Sequence, residues 1–313
     1  HRELKFVTES YFRGEKSTEE LLAAVREQRQ GQWILQEKAG IDFIPSNDFS
    51  LYDGVLDTAF LLNVIPQCYQ DLGLGDVDTY FAMARGYQGT AGDVKAFSMK
   101  KWFNTNYHYM VPEIEDTVDI KLRSSTFLDG YRQAKALGIE TKPVLVGPFT
   151  FLKLADFVGK KTVADVLPAI LAAYEDIFKV AEEQGVAWLQ LDEPYLVRDL
   201  TKEDVDLFAS IYEKLLPKKG HLKVLLQTYF GDVRDCYQTL TGLDFDGIGL
   251  DFVEGKQTVD LLNKYGFPQD KTLFAGLVNG KNIWRTDYKK ALGVLNGLSQ
   301  KGHDLVLSTS CSL

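Results

Sequence analysis

The sequence has 313 residues, of which 45% are hydrophobic and 25% charged, and its formal net charge is −9. This composition excludes a disordered, collagen-like or coiled-coil protein, and the acidic balance argues against a nucleic-acid partner, whose phosphates require a basic surface. The most apolar run, at 166–174, is well short of the ~18 residues that a membrane span needs, so no membrane partner is expected.

Helical and strand patterns alternate from the first residues. Ser17 followed by Glu20 has the spacing of a capping box and predicts a helix that ends at Gly40. Further helices are predicted at 54–64, 127–137, 163–184, 202–216, 233–240, 257–264 and 287–299. Eight apolar segments are predicted as strands: IDFIPSND, KWFNTNYHYMVP, KPVLVGP, AWLQLDEP, HLKVLLQTYF, FDGIGLDFV, TLFAGLVNG and HDLVLSTS.

This alternation predicts parallel strands joined by right-handed helical crossovers, with both faces of the sheet buried. A doubly wound sheet usually carries a glycine-rich phosphate loop after its first strand, and the sequence has neither GxGxxG nor a Walker motif. Polar residues follow the strands instead, as in a closed barrel. The sequence therefore predicts a (β/α)₈ TIM barrel, in which the aromatic segment near Tyr107 fits least well as a strand.

The most distinctive local motif is LDEP, which places two adjacent carboxylates at the end of a predicted strand. Successive side chains of a strand point to opposite faces, so only one of Asp192 and Glu193 can point along a barrel axis. Either carboxylate could bind an ammonium group or act as a general base. Both could equally cap a helix or pair with Arg198, and the motif alone does not decide.

Metal-ligand spacing is absent from the sequence. The three cysteines are Cys68, Cys236 and Cys311, and neither they nor the histidines form a CxxC, HxC or HExxH pattern. We therefore expect no metal ion in this chain. Widely spaced cysteines, with no evident signal-peptide pattern, predict a reducing, cytoplasmic location.

Two lysine-containing stretches are candidates for binding an anion. RELK, at 2–5, has the composition of a solvated first helical turn. The stretch KKWFNTNYHYM places Lys100 and Lys101 beside aromatic residues, which suits either a flat anionic ligand or a strand that packs a core.

Motifs spread in order along nearly the whole chain resemble cobalamin-independent methionine synthase, specifically its amino-terminal half. The segments that carry the resemblance are RELKFVTESYFRGE, KWFNTNYHYMVPE, KPVLVGPFTFL, WLQLDEPYLV, LLQTYFGD, AGLVNGKNIWR and STSCSL.

The resemblance implies two (β/α)₈ barrels that together transfer a methyl group from 5-methyltetrahydropteroyl-triglutamate to L-homocysteine. Residues 1–313 would form the amino-terminal, folate-side barrel, while the carboxyl-terminal barrel would hold the zinc, the homocysteine and most of the folate site. In this barrel the implied folate-binding residues are Arg2, Glu3, Leu4, Lys5 and Lys101. The chain alone is expected to be inactive.

Departures from the family pattern lead to further expectations. The strand that carries an HxC zinc pair in the catalytic barrel reads Gln227-Thr228-Tyr229 here. The glycine-phenylalanine-proline strand that precedes RELK in the family is missing, so the barrel is expected to lack its first strand. Two alternatives to the folate-binding role remain: a non-catalytic scaffold that stabilises the zinc barrel, and a free-standing enzyme that uses Asp192 and Glu193 as an acid/base pair.

Overall fold

A parallel sheet forms the centre of the molecule in the computed structural model, which describes residues 2–312 with the side chain of Arg2 left out. The helices are α1 Arg2–Phe12, α2 Thr18–Lys38, α3 Gly54–Leu61, α4 Gln67–Gln70, α5 Asp76–Arg85, α6 Asp129–Ala136, α7 Pro148–Leu154, α8 Val163–Glu183, α9 Lys202–Leu215, α10 Tyr237–Gly242, α11 Thr258–Tyr265 and α12 Tyr288–Ser299. The strands are β1 Ile44–Ser46, β2 Tyr87–Gly89, β3 Gly92–Val94, β4 Met99–Lys101, β5 His108–Met110, β6 Glu113–Glu115, β7 Thr141–Val146, β8 Asp156–Val158, β9 Trp188–Asp192, β10 Lys223–Gln227, β11 Gly247–Asp251, β12 Thr272–Val278 and β13 Asp304–Thr309.

Seven of the eight predicted strand segments lie in this sheet, in the order β1-β7-β9-β10-β11-β12-β13, and all neighbours are parallel. The eighth segment, near Tyr107, instead forms the antiparallel hairpin β4–β5 outside the sheet. Within residues 2–312 the sheet ends at β1 and β13, so a closed eight-stranded barrel is not formed. The prediction of a barrel is therefore confirmed as a parallel α/β architecture and not as a complete barrel.

The sheet is strongly curled. Phe43 directly precedes β1, and its ring centroid lies 5.7 Å from that of Trp188 on β9 and 5.0 Å from that of Phe274 on β12. In a flat sheet β1 and β12 would be about 24 Å apart, at ~4.8 Å per strand. The rings can meet only because the sheet bends back towards itself, which defines an interior face.

Strand periodicity then assigns the residues of β9 to the two faces. Trp188 reaches the interior, so Gln190 and Asp192 share its face, while Leu189 and Leu191 point outward and are 0% exposed under the helices. Both faces are covered, as the continuous apolar strand segments predict.

Local signals mark several helix boundaries correctly and miss others. The Ser17–Glu20 capping box is present, with the Ser17 amide donating to the Glu20 carboxylate at 2.7 Å. Helix α7 begins at Pro148, which was predicted to end a strand, and helix α5 was not predicted. The helix predicted at 233–240 lies at 237–242. None of the helices within residues 2–312 is long and apolar enough to cross a bilayer.

Candidate functional site

Glu193 caps the amino terminus of α7. Its Oε1 accepts a hydrogen bond from the Phe149 amide at 3.1 Å and its Oε2 one from the Thr150 amide at 2.6 Å. The Tyr212 hydroxyl donates to Oε1 at 2.5 Å, and Glu193 is 0% exposed. Burial raises the pKa of this carboxyl to about 7, against the opposing effect of the hydrogen bonds from Thr150 and Tyr212. Of the interpretations left open by the sequence, helix capping is the one observed for Glu193.

Asp192 points to the other side of the strand, into the curled sheet. Its Oδ1 accepts a hydrogen bond from the Gln190 side chain at 2.7 Å and its Oδ2 one from the Tyr229 hydroxyl at 3.1 Å. Gln190 in turn accepts a hydrogen bond from the Lys142 ammonium group. We call these four residues the interior network. Because Asp192 and Glu193 face opposite sides, they do not form one acid/base pair, and neither forms an ion pair with Arg198 within residues 2–312.

Burial shifts the protonation equilibria of the interior network. It raises the pKa of Asp192 to about 6, although the Gln190 hydrogen bond and the Lys142 charge oppose it. It lowers the pKa of Lys142 to about 8, although the carboxylates of Asp192 and Asp48 oppose it. Asp192 is therefore held in a partly buried set of groups in which the charges of Asp192 and Lys142 depend on each other.

A groove of about 460 Å³ lies beside the carboxyl end of β9. Its walls come from hairpin β4–β5, from the end of α7 and from the segment that follows β9. The residues that line it are Lys100, Lys101, Phe103, Tyr109, Lys153, Leu154, Tyr195, Arg198 and Asp199. Cationic and aromatic side chains thus dominate the groove, and Lys101 is the one predicted site residue that it contains.

The loop of hairpin β4–β5 is held against the carboxyl end of the sheet. The Asn104 amide donates to Glu254 at 3.0 Å, and Lys281 donates to the same carboxylate at 2.8 Å. Phe103 adopts φ = 51°, a conformation that is unusual for a bulky residue. Its ring centroid lies 5.8 Å from that of Phe230. These contacts fix the position of Phe103 as one wall of the groove.

Two of the four cations of the groove are neutralised by carboxylates just outside it. Lys100 lies 3.2 Å from a carboxylate oxygen of Asp156, and Lys153 lies 2.7 Å from one of Asp204. The ammonium group of Lys153 is also 5.4 Å from the ring centroid of Tyr195. These two lysines therefore contribute little net charge to a bound ligand.

Lys101 and Arg198 are exposed, and within residues 2–312 neither forms an ion pair. The carboxylate nearest to Arg198 along the chain, Asp199, is bound by Arg234 at 2.5 Å. The net positive charge of the groove therefore lies on Lys101 and Arg198. A ligand with carboxylate or phosphate groups fits this charge.

The four residues predicted from RELK lie on α1, and none of them is among the residues that line the groove. The side chain of Arg2 lies outside the described part. Glu3 is exposed, and Leu4 is partly buried against the hydrophobic cluster that also contains Met110 of β5. The side chain of Lys5 is 70% exposed and lies 3.7 Å from Glu9, one turn further along α1. Among the described residues, none that lines the groove belongs to α1.

The residues that the structure describes do not form a zinc site. No group of three or more His, Cys, Asp or Glu side chains is placed to hold a metal ion among residues 2–312. Cys311 is buried, and burial raises the pKa of its thiol to about 11, so it stays protonated at neutral pH. Thr228 is also buried and donates a hydrogen bond to the carbonyl oxygen of Gly249 at 2.7 Å.

Five of the residues that line the groove were not predicted in this role: Lys153, Leu154, Tyr195, Arg198 and Asp199. Tyr195 and Arg198 follow the polar end of a predicted strand, and sites in barrels are built from such segments, so their position was a usable signal. Lys153 lies on α7, a helix that was not predicted.

The comparison with known proteins decides the family. Residues 1–303 match the family model described as cobalamin-independent synthase, N-terminal domain. The chain belongs to this family. The resemblance seen in the sequence motifs is thereby confirmed over nearly the whole chain.

The curated relatives that the chain resembles are much longer than the chain. The 5-methyltetrahydropteroyltriglutamate–homocysteine methyltransferase of Streptococcus suis is 56% identical over 313 residues, which is 100% of this chain and 41% of that protein. The protein of the same name from Streptococcus thermophilus is 54% identical over 312 residues, with the same coverage of 100% and 41%. The chain thus spans about two fifths of the length of these relatives and corresponds to the domain that the family model describes as N-terminal.

Two solved structures have a fold similar to that of this chain. A putative vitamin-B12-independent methionine synthase from Listeria monocytogenes has a TM-score of 0.72 at 16% identity, covering 100% of this chain and 87% of that chain. A B12-independent methionine synthase from a Shewanella species, solved with selenomethionine, has a TM-score of 0.71 at 14% identity, with coverage of 95% and 83%. At these identities the likeness concerns the fold alone.

Proposed function

We propose that this chain is the folate-side domain of an enzyme that transfers a methyl group from 5-methyltetrahydropteroyl-triglutamate to L-homocysteine. The family membership and the names of the Streptococcus relatives support this assignment. The whole reaction requires more than this chain, since the chain spans 41% of those relatives.

The part of the reaction assigned to this chain is binding of the oligoglutamate tail in the groove at Lys101. The observation that carries the proposal is the net positive charge of that groove, where Lys101 is exposed and forms no ion pair within residues 2–312. A glutamate tail carries several carboxylates, and an ammonium group is a suitable partner for each. Arg2, Glu3, Leu4 and Lys5 of α1 are proposed as a second contact with the same ligand.

The same proposal covers the architecture of this domain, the rest of the enzyme and its location in the cell. Residues 1–313 are proposed to form one folate-side domain of (β/α)₈ type that lacks one strand of the barrel. A carboxyl-terminal barrel supplies the zinc and the homocysteine site, and this chain by itself transfers no methyl group. The enzyme is cytoplasmic. A pure scaffold role is not favoured, because a scaffold needs no charged groove.

Replacing Lys101 with methionine tests the assignment. The variant keeps the apolar stem and removes the charge, so the fold is retained while affinity for 5-methyltetrahydrofolate with three glutamates falls by at most about fivefold, since an exposed ion pair contributes about 0.2–1 kcal/mol. Dissociation constants of the chain should be measured for ligands with one, three and five glutamates at low and high salt. The loss should increase with tail length and shrink as salt screens the charge.

Lys264→Met is the matched control, because Lys264 is also an exposed lysine beside an aromatic ring, 4.7 Å from the centroid of Tyr265, and does not line the groove. It should leave every dissociation constant unchanged. Equal constants for wild type and Lys101→Met at every tail length and at low salt would refute the proposed tail site.

A further inference from the structure

The groove contains a second cation that is not neutralised, Arg198, whose backbone is held by a short turn. Residues Pro194–Val197 form a 3₁₀ turn directly after β9, and the Arg198 amide donates to the Tyr195 carbonyl at 3.1 Å. Two residues later the Leu200 amide donates to Asp235 at 2.9 Å. The Arg198 side chain therefore projects from an anchored segment rather than from a free loop.

The guanidinium of Arg198 is oriented by an aromatic ring and not by an acid. Its central carbon lies 4.9 Å from the ring centroid of Phe103. That ring is itself fixed, as described above, by the conformation of the hairpin loop. Stacking on a ring face leaves the edge of the guanidinium, which carries the N–H donors, free to bind a ligand.

Arg198 and Lys101 also reach the groove from different walls. Lys101 belongs to strand β4 of the hairpin, whereas Arg198 belongs to the segment after β9. A single carboxylate needs only one of them. A chain that carries carboxylates at intervals can engage both, and the planar guanidinium can bind one carboxylate through two parallel hydrogen bonds.

We propose that Arg198 is a second carboxylate-binding residue of this groove, and that Arg198 and Lys101 bind different carboxylates of one oligo-γ-glutamate chain. This inference rests on the proposed function. It adds Arg198 as a second binding residue and predicts that affinity depends on the length of the tail. The groove then binds longer tails more tightly, because a chain with more carboxylates can engage both cations at once.

The test uses the chain itself and a fluorescein-labelled tri-γ-glutamate peptide, which lacks the pterin. Dissociation constants are measured by fluorescence anisotropy for the wild type, Arg198→Met, Lys101→Met and the double variant. Each single variant should bind about two- to fivefold more weakly, and the double variant about tenfold more weakly, as expected for two independent exposed contacts. Binding of mono-glutamate should change by less than twofold in Arg198→Met.

Two further variants control for stacking and for charge. Arg85→Met removes an exposed arginine that also stacks on a phenylalanine, 3.7 Å from the ring centroid of Phe12, outside the groove, and should leave the constants unchanged. Arg198→Lys keeps the positive charge but lacks the planar guanidinium, so its affinity should lie between those of Arg198→Met and the wild type. Thermal unfolding of each variant verifies that it is folded.

The outcomes separate this inference from the proposed function. A loss in Lys101→Met without a loss in Arg198→Met overturns the role of Arg198 and leaves the tail site standing. No measurable binding by the wild-type chain, or equal binding by all variants, overturns both. Tripolyphosphate that competes as strongly as the peptide, with the same dependence on Arg198, overturns the selectivity for a carboxylate chain.

Discussion

Replacing Glu193 with alanine is expected to lower the free energy of unfolding by about 3–5 kcal/mol, because each buried donor left without a partner costs about 1–3 kcal/mol. Three donors lose their acceptor: the amides of Phe149 and Thr150 and the hydroxyl of Tyr212. Urea unfolding monitored by circular dichroism gives the change. Glu183→Ala is the control, since Glu183 is exposed on the same protein and should change stability by no more than about 0.5 kcal/mol.

The stability that Glu193 contributes is expected to depend on pH, and the Glu193→Gln variant isolates this dependence. The pKa of Glu193 is about 7 in the folded chain, against an ordinary value of 4.5. Between these values the folded state keeps a proton that the unfolded state has lost. The contribution of Glu193 to the free energy of unfolding is therefore fully present below pH 4.5. It falls by about 3 kcal/mol at most as the pH rises to about 7.

Glu193→Gln has no such titration, while the other ionisable groups are common to both proteins and cancel in the difference. The stability gap between wild type and Glu193→Gln should therefore narrow as pH rises from about 4.5 to about 7. A gap that stays constant over this range would show that the folded carboxyl titrates at its ordinary pKa.

Lys142→Met is the second substitution expected to lower the free energy of unfolding, by about 1–3 kcal/mol at pH 7.5, because the side-chain oxygen of Gln190 loses its donor. Methionine fills the space of the lysine stem but leaves the carboxylates of Asp192 and Asp48 without the positive charge that lowers the pKa of each. Unfolding free energies at pH 7.5 and pH 5 should be compared. Both lie below the folded pKa of Lys142, about 8, so the wild-type lysine is charged in each.

The loss should be smaller at pH 5, because Asp192, whose folded pKa is about 6, is then mostly protonated in the wild type and depends less on the lysine charge. Adding Asp192→Asn to Lys142→Met should restore part of the stability at pH 7.5. The control is Lys223→Met on β10, two strands away from β7; it removes an exposed lysine that lies 5.3 Å from the ring centroid of Trp188 and should change stability by at most about 1 kcal/mol. An equal loss at both pH values would attribute the effect to packing rather than charge.

Short-range features of this protein were readable from the sequence because their partners lie a few residues apart. The Ser17–Glu20 capping box spans three residues and forms as predicted. The alternation along β9 alone showed that Asp192 and Glu193 must face opposite sides. The family was also readable, since long motifs such as KWFNTNYHYMVPE are specific by themselves, and the match over residues 1–303 confirms it.

Several assignments depended on contacts between residues that are distant in sequence. Whether Glu193 would act as a base or as a cap was decided by the position of α7, which is packed against β9 by the tertiary fold. The segment near Tyr107, which fitted least well as a strand of the sheet, forms the antiparallel hairpin β4–β5 outside it.

The sequence by itself determined the alternation of helices and parallel strands, the family and Lys101 as a residue of interest. Only the tertiary structure decided that Arg198 joins Lys101 in one groove while their neighbours Lys100 and Lys153 are neutralised by Asp156 and Asp204. The physical reason is that charge pairing depends on distances of a few ångströms between separate segments. Those distances are set by the curl of the sheet and the docking of hairpin β4–β5, which no local pattern of residues specifies.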